Sequence, residues 1–306
     1  MQEASRKFAS PNPDIIEDDI RKEMPHILEL LLIDRTTSTP HITQNIIWAN
    51  DNYKEYGAAS YAATAPIKPN LITCKKGELI MPRSLKTAAL QKTRTRTKAE
   101  VFTPTWIVRK QNDACDADYQ ADDLETYTRR KWLEIACGEA PYMATRYDMA
   151  TGELIPLAER AGFVDRKLAR INAEVTDKAE WQRLVELAYK ASYGFEWNGD
   201  SLLIARENLL FTYRDYYIEK WGEPPIYGLF EVIATTISYN VFQMNGLTCT
   251  VPLSEKKEQV QTDQGALFDL GEPQRVEWNI IPGKRVRIMN WDTQNMEYFD
   301  EGTNMI

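Results

Sequence analysis

The chain has 306 residues, 43% of them hydrophobic and 27% charged, which is enough for one large domain or two modest ones with a sizeable core. Its net charge of -8 argues against non-specific adhesion to nucleic acid, because duplex affinity comes largely from cations that displace counterions from phosphates. Any contact with DNA must therefore be local or shared with a partner.

Nothing in the sequence predicts export or membrane insertion. The first residues show no apolar run followed by a small-residue cleavage site, and the early apolar stretch Ile27–Ile33 is far shorter than the roughly 20 residues that a span requires. We therefore expect a cytoplasmic protein. The four cysteines form no Cys-x-x-Cys pair and only two histidines accompany them, so we expect neither a structural metal site nor a disulfide framework.

Residues 1–99 are predicted to form a mainly helical accessory region, beginning with a helix around Ile27–Ile33. Towards its end lies a basic strip with no acidic residue inside it. The strip consists of Arg83, Lys86, Lys92, Arg94, Arg96 and Lys98. It is a candidate for contact with DNA phosphates, and a solvated basic face explains it equally well.

From residue 100 to residue 306, helix and strand signals alternate, which favours an α/β domain with a parallel sheet. Thr103 is predicted to cap a helix that begins at Pro104. A short strand is expected at Trp132–Ala136 and a second at Tyr193–Trp197. Between them, Asp177 precedes a helix on whose predicted buried face Trp181, Leu184, Val185 and Ala188 recur at helical spacing.

The last third of the chain is predicted to hold two more helices and further strands. The first helix is stopped by Gly222, Pro224 and Pro225, and a buried helix at Leu229–Phe242 runs into a strand. Ser254–Gly271 is interpreted as a flexible insertion because it is polar and weakly periodic. Two strands are expected around Pro282 within Val276–Trp291.

Two strand ends carry residue types that suit a nucleoside ligand. Glu134 and the pair Cys137-Gly138 follow the first strand, and a glycine there lets the backbone approach a ligand closely. Glu196 ends the second strand, where a carboxylate can accept hydrogen bonds from ribose hydroxyls. Taken alone, Gly138 fits an ordinary structural turn equally well.

The order of these motifs resembles the amino-terminal part of adenine-N6 DNA methyltransferases of restriction-modification systems, of the type called restriction endonuclease subunit M. The similarity covers roughly residues 95–292. In that family a Phe-Thr-Pro segment packs on the methionine part of S-adenosylmethionine, the first motif resembles Glu134–Tyr142 and the acidic second motif resembles Tyr193–Trp197. The family's polar third motif has two candidates here, Asn245 and Asn290–Asp292, of which the order along the sheet favours Asn245.

The resemblance implies a Rossmann-like, S-adenosylmethionine-dependent methyltransferase sheet that is incomplete. It assigns cofactor binding to Phe102, Thr103, Pro104, Glu134, Cys137, Gly138, Glu196, Trp197 and Asn245. One departure lies in the first motif, where Ala140 replaces the family's second glycine. Another is the interval from Gly138 to Glu196, which is far longer than the about 20 residues of a plain βαβ unit. This longer interval predicts an insertion between the two motifs.

A third departure concerns catalysis. The family's Asn-Pro-Pro-Tyr motif, which holds the flipped adenine, is absent, and Glu223-Pro224-Pro225-Ile226 is interpreted as a helix stop. We therefore expect a cofactor-binding subunit that acts on DNA with a second protein carrying the catalytic motif. The alternative is a non-catalytic interaction protein with a methyltransferase-like scaffold. A nuclease subunit ranks last, because no Asp-to-Glu-x-Lys arrangement stands out.

Overall fold

The computed structural model describes residues 20, 24–73, 79–80, 103–260 and 277–301, which form a mixed α/β structure. The described α-helices are α1 Pro25–Leu32, α2 Pro69–Ile72, α3 Thr105–Asp116, α4 Leu124–Arg129, α5 Phe163–Glu174, α6 Lys178–Lys190, α7 Gly199–Trp221 and α8 Tyr227–Asn240. The described strands are β1 Trp132–Glu134, β2 Ser192–Glu196, β3 Val241–Gln243, β4 Lys256–Val260, β5 Glu277–Ile281, β6 Arg287–Asn290 and β7 Asn295–Tyr298.

Three of these strands form a parallel sheet in the order β1-β2-β3. The chain passes from β1 to β2 through α5 and α6, and from β2 to β3 through α7 and α8. Every residue of the central strand β2 is buried, as expected for a parallel strand flanked on both sides. Because the strands are parallel, the segments that follow Glu134, Glu196 and Gln243 all leave the same edge of the sheet.

Local sequence signals account for the helices around this sheet. The carboxylate of Asp177 accepts a hydrogen bond from the Glu180 N–H at 2.8 Å, so the predicted cap of α6 is confirmed. The helix α7 ends where Gly222 adopts a left-handed φ of 68° and donates to the carbonyl of Ile218. Pro224 and Pro225 then separate α7 from α8, so the interpretation of these prolines as a helix stop is confirmed.

One hydrophobic core joins the described part of residues 1–99 to the sheet and its helices. Ile27 and Leu31 of α1 and the indole of Trp48 are fully buried in the same cluster as Leu203 of α7 and Phe230 of α8. This continuity means that the early residues contribute to the stability of the sheet.

A buried arginine reinforces that connection. Arg206 of α7 donates to the carbonyl of Val241 in β3 at 2.8 Å, and to those of Leu31 and Ile33 at 2.6 and 3.0 Å. Burial lowers the pKa of Arg206 to about 9. The guanidinium therefore links the end of α1 to the sheet through backbone acceptors.

A smaller apolar cluster lies beside β2 and β3 and includes Phe195, Phe242, Val286 and Phe299. The antiparallel pair β6 and β7 contributes to it, and β4 pairs with β5 in a separate antiparallel ribbon. The expected strands on either side of Pro282 are present, but each pairs with a different partner.

Two local predictions differ from the structure. Residues 256–260, interpreted as part of a flexible insertion, form β4, because a partner strand nearly 20 residues later supplies hydrogen bonds that local periodicity does not reveal. At the start of α3, Pro104 itself is the N-cap and Thr105 is the first helical residue, so Thr103 does not cap the helix. Among the described helices, none combines the length and apolar character needed to cross a bilayer.

We predict that Asp177→Ala lowers the free energy of unfolding by about 1 kcal/mol, because the Glu180 N–H loses its acceptor at the start of α6. Urea titration followed by circular dichroism measures this change. Asp177→Asn is the matched control, since an amide oxygen caps a helix about as well as a carboxylate and we expect little change. Equal destabilisation by both variants would contradict the capping role.

Candidate functional site

The candidate site lies at the carboxyl edge of the parallel sheet. Glu134 at the end of β1 is in register with Gly194 of β2, and Glu196 at the end of β2 is in register with Gln243 of β3. The strand ends singled out in the sequence are thus adjacent in space. In open α/β sheets this edge is the usual place for a ligand.

The turn after β1 has an unusual backbone. Ala136, Gly138 and Ala140 all adopt left-handed φ values, of 49°, 55° and 60°. Left-handed φ is uncommon for residues with a Cβ, so surrounding contacts must hold the two alanines in place. The Cys137 N–H donates to the carbonyl of Phe195 at 2.8 Å and the Ala140 N–H donates to the carbonyl of Cys137, which fixes the turn against β2.

Open space adjoins Gly138 on the side where a side chain would stand. A Cβ built there meets no heavy atom within 4 Å, and the residue is partly exposed. A ligand can therefore approach the backbone of this turn closely, which is the role that a glycine at this position permits.

Glu196 joins this turn directly to the end of β2. Its Oε2 accepts a hydrogen bond from the Gly138 N–H at 2.9 Å, while Oε1 accepts from the backbone and side-chain amides of Asn198 at 3.0 and 3.2 Å. The side chain is only 7% exposed, and burial raises the pKa of its carboxyl in spite of these donors. Since an ionised carboxylate has about four acceptor positions, one remains for a further donor.

Glu134, in the same region, binds the backbone of the turn that follows β1. Its two carboxylate oxygens accept the N–H groups of Tyr142 and Met143 at 3.2 and 2.9 Å, which closes the long turn that starts after β1. Burial raises the pKa of Glu134 to about 8, and the nearby charge of Glu196 adds to that effect. The carboxyl group of Glu134 therefore holds the turn in shape from inside the protein.

Cys137 presents its backbone to the edge and its side chain to the core. The thiol is buried against β2, where a Cβ on Gly194 would lie 3.4 Å from its sulfur. Burial raises the pKa of the Cys137 thiol, which keeps it neutral. Ile135, two residues earlier, points outward and is 69% exposed.

Trp197 and Asn245 also lie at the edge and have partners within the protein. The Trp197 indole N–H donates to the carbonyl of Ala49 at 2.8 Å. The side-chain oxygen of Asn245 accepts the Leu247 N–H at 3.0 Å, which closes the turn after β3. Leu247 at the tip of this turn is 96% exposed.

Sequence reasoning missed that the segment 46–50 runs along this edge. The side-chain oxygen of Gln243 accepts the Ile47 N–H at 2.9 Å, and its amide nitrogen donates to the carbonyls of Ile47 and Trp197 at 2.9 and 2.7 Å. The Gly199 N–H donates to the carbonyl of Trp48 at 3.1 Å. No local pattern could reveal the contacts of the segment 46–50, because its partners Trp197 and Gln243 lie 148 to 196 positions away.

The other candidates lie elsewhere. Asn290–Asp292 lines a cavity of about 280 Å³ together with Ala191 and Tyr193 at the start of β2, at the amino edge of the sheet. The pair Pro224-Pro225 follows α7, which starts beside Glu196 and runs about 33 Å away from it over its 23 residues. Of the two third-motif candidates, only Asn245 is at the carboxyl edge.

Thr103 and Pro104 lead into α3, which packs against the long turn after β1. Asn112 of that helix donates to the carbonyls of Tyr142 and Ala161 at 3.0 and 2.9 Å. Phe102 and the basic strip of Arg83, Lys86, Lys92, Arg94, Arg96 and Lys98 lie outside the described residues. The insertion expected between Gly138 and Glu196 is present as a hairpin at 146–155 and a second crossover helix.

Within the described part of the chain, no group of three or more histidine, cysteine, aspartate or glutamate side chains is placed to hold a metal ion. Comparison with known proteins adds no assignment: no family model, no curated protein and no solved structure matches the chain.

The raised pKa of Glu134 predicts a pH dependence of stability. Between its ordinary value of 4.5 and about 8, the folded protein holds a proton that the unfolded chain has released, so the contribution of Glu134 to folding is lost as pH rises. We expect the free energy of unfolding to fall by up to about 1.4 kcal/mol per pH unit in this window from Glu134 alone.

Urea titrations at several pH values between 5 and 8.5, roughly the window set by the two pKa values, measure this slope. Glu134→Gln should show a shallower slope, because the amide does not titrate. Glu153→Gln, which changes an exposed carboxylate in the neighbouring hairpin, is the control and should keep the original slope. Identical slopes in the unaltered protein and Glu134→Gln would refute this role for Glu134.

We predict that Gln243→Glu destabilises the protein by roughly 2–4 kcal/mol, because the carbonyls of Ile47 and Trp197 lose their donor and face a carboxylate instead. Thermal unfolding measures the loss, and hydrogen exchange should show reduced protection at Ile47. Gln294→Glu, at an exposed glutamine, is the control and should change stability little. Unaltered protection at Ile47 would show that Gln243 does not hold the segment.

Proposed function

We propose that the chain is the S-adenosylmethionine-binding subunit of a restriction-modification type adenine-N6 DNA methyltransferase, and that a second protein chain supplies the base-holding motif. The observation that carries the proposal is the hydrogen bond of 2.9 Å between the Gly138 N–H and the Glu196 carboxylate. It brings the glycine turn after β1 and the acidic end of β2 to one point, as the resemblance in the sequence requires.

The residues at this point suit the nucleoside part of the cofactor. The remaining acceptor position of Glu196 can take a hydrogen bond from a ribose hydroxyl, and the open space beside Gly138 admits the sugar. Asn245 leaves the neighbouring strand at the same edge, where an amide can contact a purine. When bound, the cofactor supplies the electrophilic methyl group, and this chain's residues would bind and orient it.

The proposal of a second protein chain rests on the absence of the base-holding motif from this sequence. No Asn-Pro-Pro-Tyr or Asp-Pro-Pro-Tyr tetrapeptide occurs in the 306 residues, and Pro224-Pro225 lies at the far end of α7. An adenine flipped out of DNA needs hydrogen-bond acceptors for its amine and an aromatic ring to stack on. We propose that the partner provides both next to the methyl donor.

A specific observation favours the alternative, a non-catalytic interaction protein on the same scaffold. Gly138 and Glu196 satisfy each other without a ligand, and the segment 46–50 already occupies the neighbouring part of the edge. In that case the edge is a structural joint, and S-adenosylmethionine does not bind.

We predict that titration calorimetry detects saturable binding of S-adenosylmethionine and of its demethylated product, S-adenosylhomocysteine. Glu196→Ala should weaken both by at least about tenfold, because a hydrogen bond to a charged group contributes about 1.5–3 kcal/mol. Glu174→Ala, which removes an exposed glutamate at the end of α5, is the control and should bind like the unaltered protein.

Circular dichroism of the variants separates loss of binding from loss of folding. Absence of saturable binding by the folded, unaltered protein would overturn the proposal and support the scaffold alternative. Equal binding by Glu196→Ala and the unaltered protein would place the cofactor elsewhere.

A further inference from the structure

The cavity of about 280 Å³ at the amino edge of the parallel sheet is separate from the carboxyl-edge site and takes no part in the function proposed above. Its walls come from the end of α4, the end of α6, the start of β2, and β6 with the turn that follows it. Ligand sites generally begin at about 300 Å³, so this cavity suits a small molecule.

Tyr193 gives this cavity a buried hydroxyl without a partner. The residue is only 4% exposed, and no described residue forms a hydrogen bond with its hydroxyl. Unlike the unpartnered polar atoms of the core, this oxygen is not closed off from solvent, so a molecule in the cavity can reach it. Buried polar groups without a partner are rare in folded proteins, and this one calls for a ligand atom.

The Tyr193 hydroxyl keeps its proton at neutral pH. Burial and the charge of Asp292 raise the pKa of Tyr193 to about 12. The phenol is therefore available as a hydrogen-bond donor, and the carboxylate of Asp292 lies within electrostatic reach of it.

Four charged side chains line the cavity, and partners neutralise two of them. The paired groups are Arg129 with Glu125 at 3.1 Å, where Glu125 is shared with Arg183 and Arg183 also binds Glu180, and Lys190 with Glu186 at 3.7 Å. The other two, Lys131 and Asp292, are exposed and pair neither with each other nor with another described residue. The cavity therefore offers one free ammonium and one free carboxylate.

The turn that carries Asp292 is tied to the chain that enters β2. The Trp291 indole N–H donates to the side-chain oxygen of Asn240 at 2.8 Å, and the Asn240 amide donates to the carbonyl of Lys190 at 3.0 Å. The Asp292 N–H donates to the side-chain oxygen of Asn290 at 3.0 Å. These contacts hold the backbone of Asp292 in place before any ligand binds.

We propose that this cavity binds a free α-amino acid with an apolar side chain. The ligand carboxylate accepts from the Tyr193 hydroxyl and from the Lys131 ammonium, and the ligand ammonium donates to Asp292. Leu187 and Ile288 supply apolar surface for the ligand side chain.

A zwitterion matches the free groups better than a molecule with a single charge. An anion is attracted by Lys131 and repelled by Asp292, and a cation meets the opposite pattern. A nucleobase gains little here, because the Trp291 ring already contacts Tyr239 edge to face at 5.7 Å and the Lys190 ammonium at 5.4 Å.

Saturation-transfer NMR of the full chain with a mixture of valine, leucine, isoleucine, methionine and phenylalanine tests the site, and calorimetry then measures the bound member. We expect saturable binding that Tyr193→Phe weakens roughly tenfold or more, because a hydrogen bond to a charged group is lost. Asp292→Asn should weaken binding less, since its amide keeps an acceptor oxygen. Tyr298→Phe, which removes the hydroxyl of an exposed tyrosine on β7, is the control and should bind unchanged.

Two analogues of the bound amino acid separate its two charges. The acid without the amino group and the amine without the carboxyl group should each bind at least about tenfold more weakly than the amino acid. Equal binding by either analogue would overturn the assignment of a zwitterion.

Tyr193→Phe removes a hydroxyl that has no partner among the described residues, so we expect this variant to fold, and circular dichroism checks that it does. Should it not fold, Lys131→Gln at an exposed position replaces it and should also weaken binding. The proposal is overturned if no member of the mixture binds saturably, or if the folded variant binds as tightly as the unaltered protein.

Discussion

The hydrogen bond from the Gly138 N–H to the Glu196 carboxylate is the constraint on which the carboxyl edge of the sheet depends. Glu196 is buried, and its carboxylate accepts hydrogen bonds from the amide groups of Gly138 and Asn198, none of which carries a charge. A carboxylate held by amide groups alone fixes their directions, because each must point at it. The left-handed residues Ala136 and Ala140 and the open space beside Gly138 all lie at this contact.

The segment around Ile47 completes this edge. Gln243 accepts a hydrogen bond from the Ile47 N–H and donates one to the Ile47 carbonyl, and Trp197 donates to the carbonyl of Ala49. Beside the start of β3, Arg206 donates to the carbonyls of Leu31 and Ile33 at the end of α1. Each contact joins a side chain of the sheet region to a main-chain group of the early region. Main-chain groups are present at every residue, so this docking depends on geometry more than on the identity of the early side chains.

The sequence was informative for most local features, although it placed the cap of α3 at Thr103 where the structure has Pro104. The cap at Asp177, the spacing of the buried face of α6 and the stop at Gly222 each predict an element that the structure contains. Glu196 and Gly138 were identified from their positions after strands, since a strand end is a local feature too. The pairing of β4 with β5, the contact of Gln243 with Ile47 and the approach of Asp292 to Tyr193 were not predicted. Their partners lie far apart in the chain, and periodicity carries no information about distant partners.

The long sequence separation of these contacts has a consequence for biosynthesis. Ile47 leaves the ribosome 196 residues before its partner Gln243, and Leu31 leaves it 175 residues before Arg206. Because chains are synthesised from the amino end, the apolar face of α1 cannot pack against α7 and β3 until these elements have emerged from the ribosome. Closing such long loops is slow, so the carboxyl edge is expected to be one of the last parts of the fold to form.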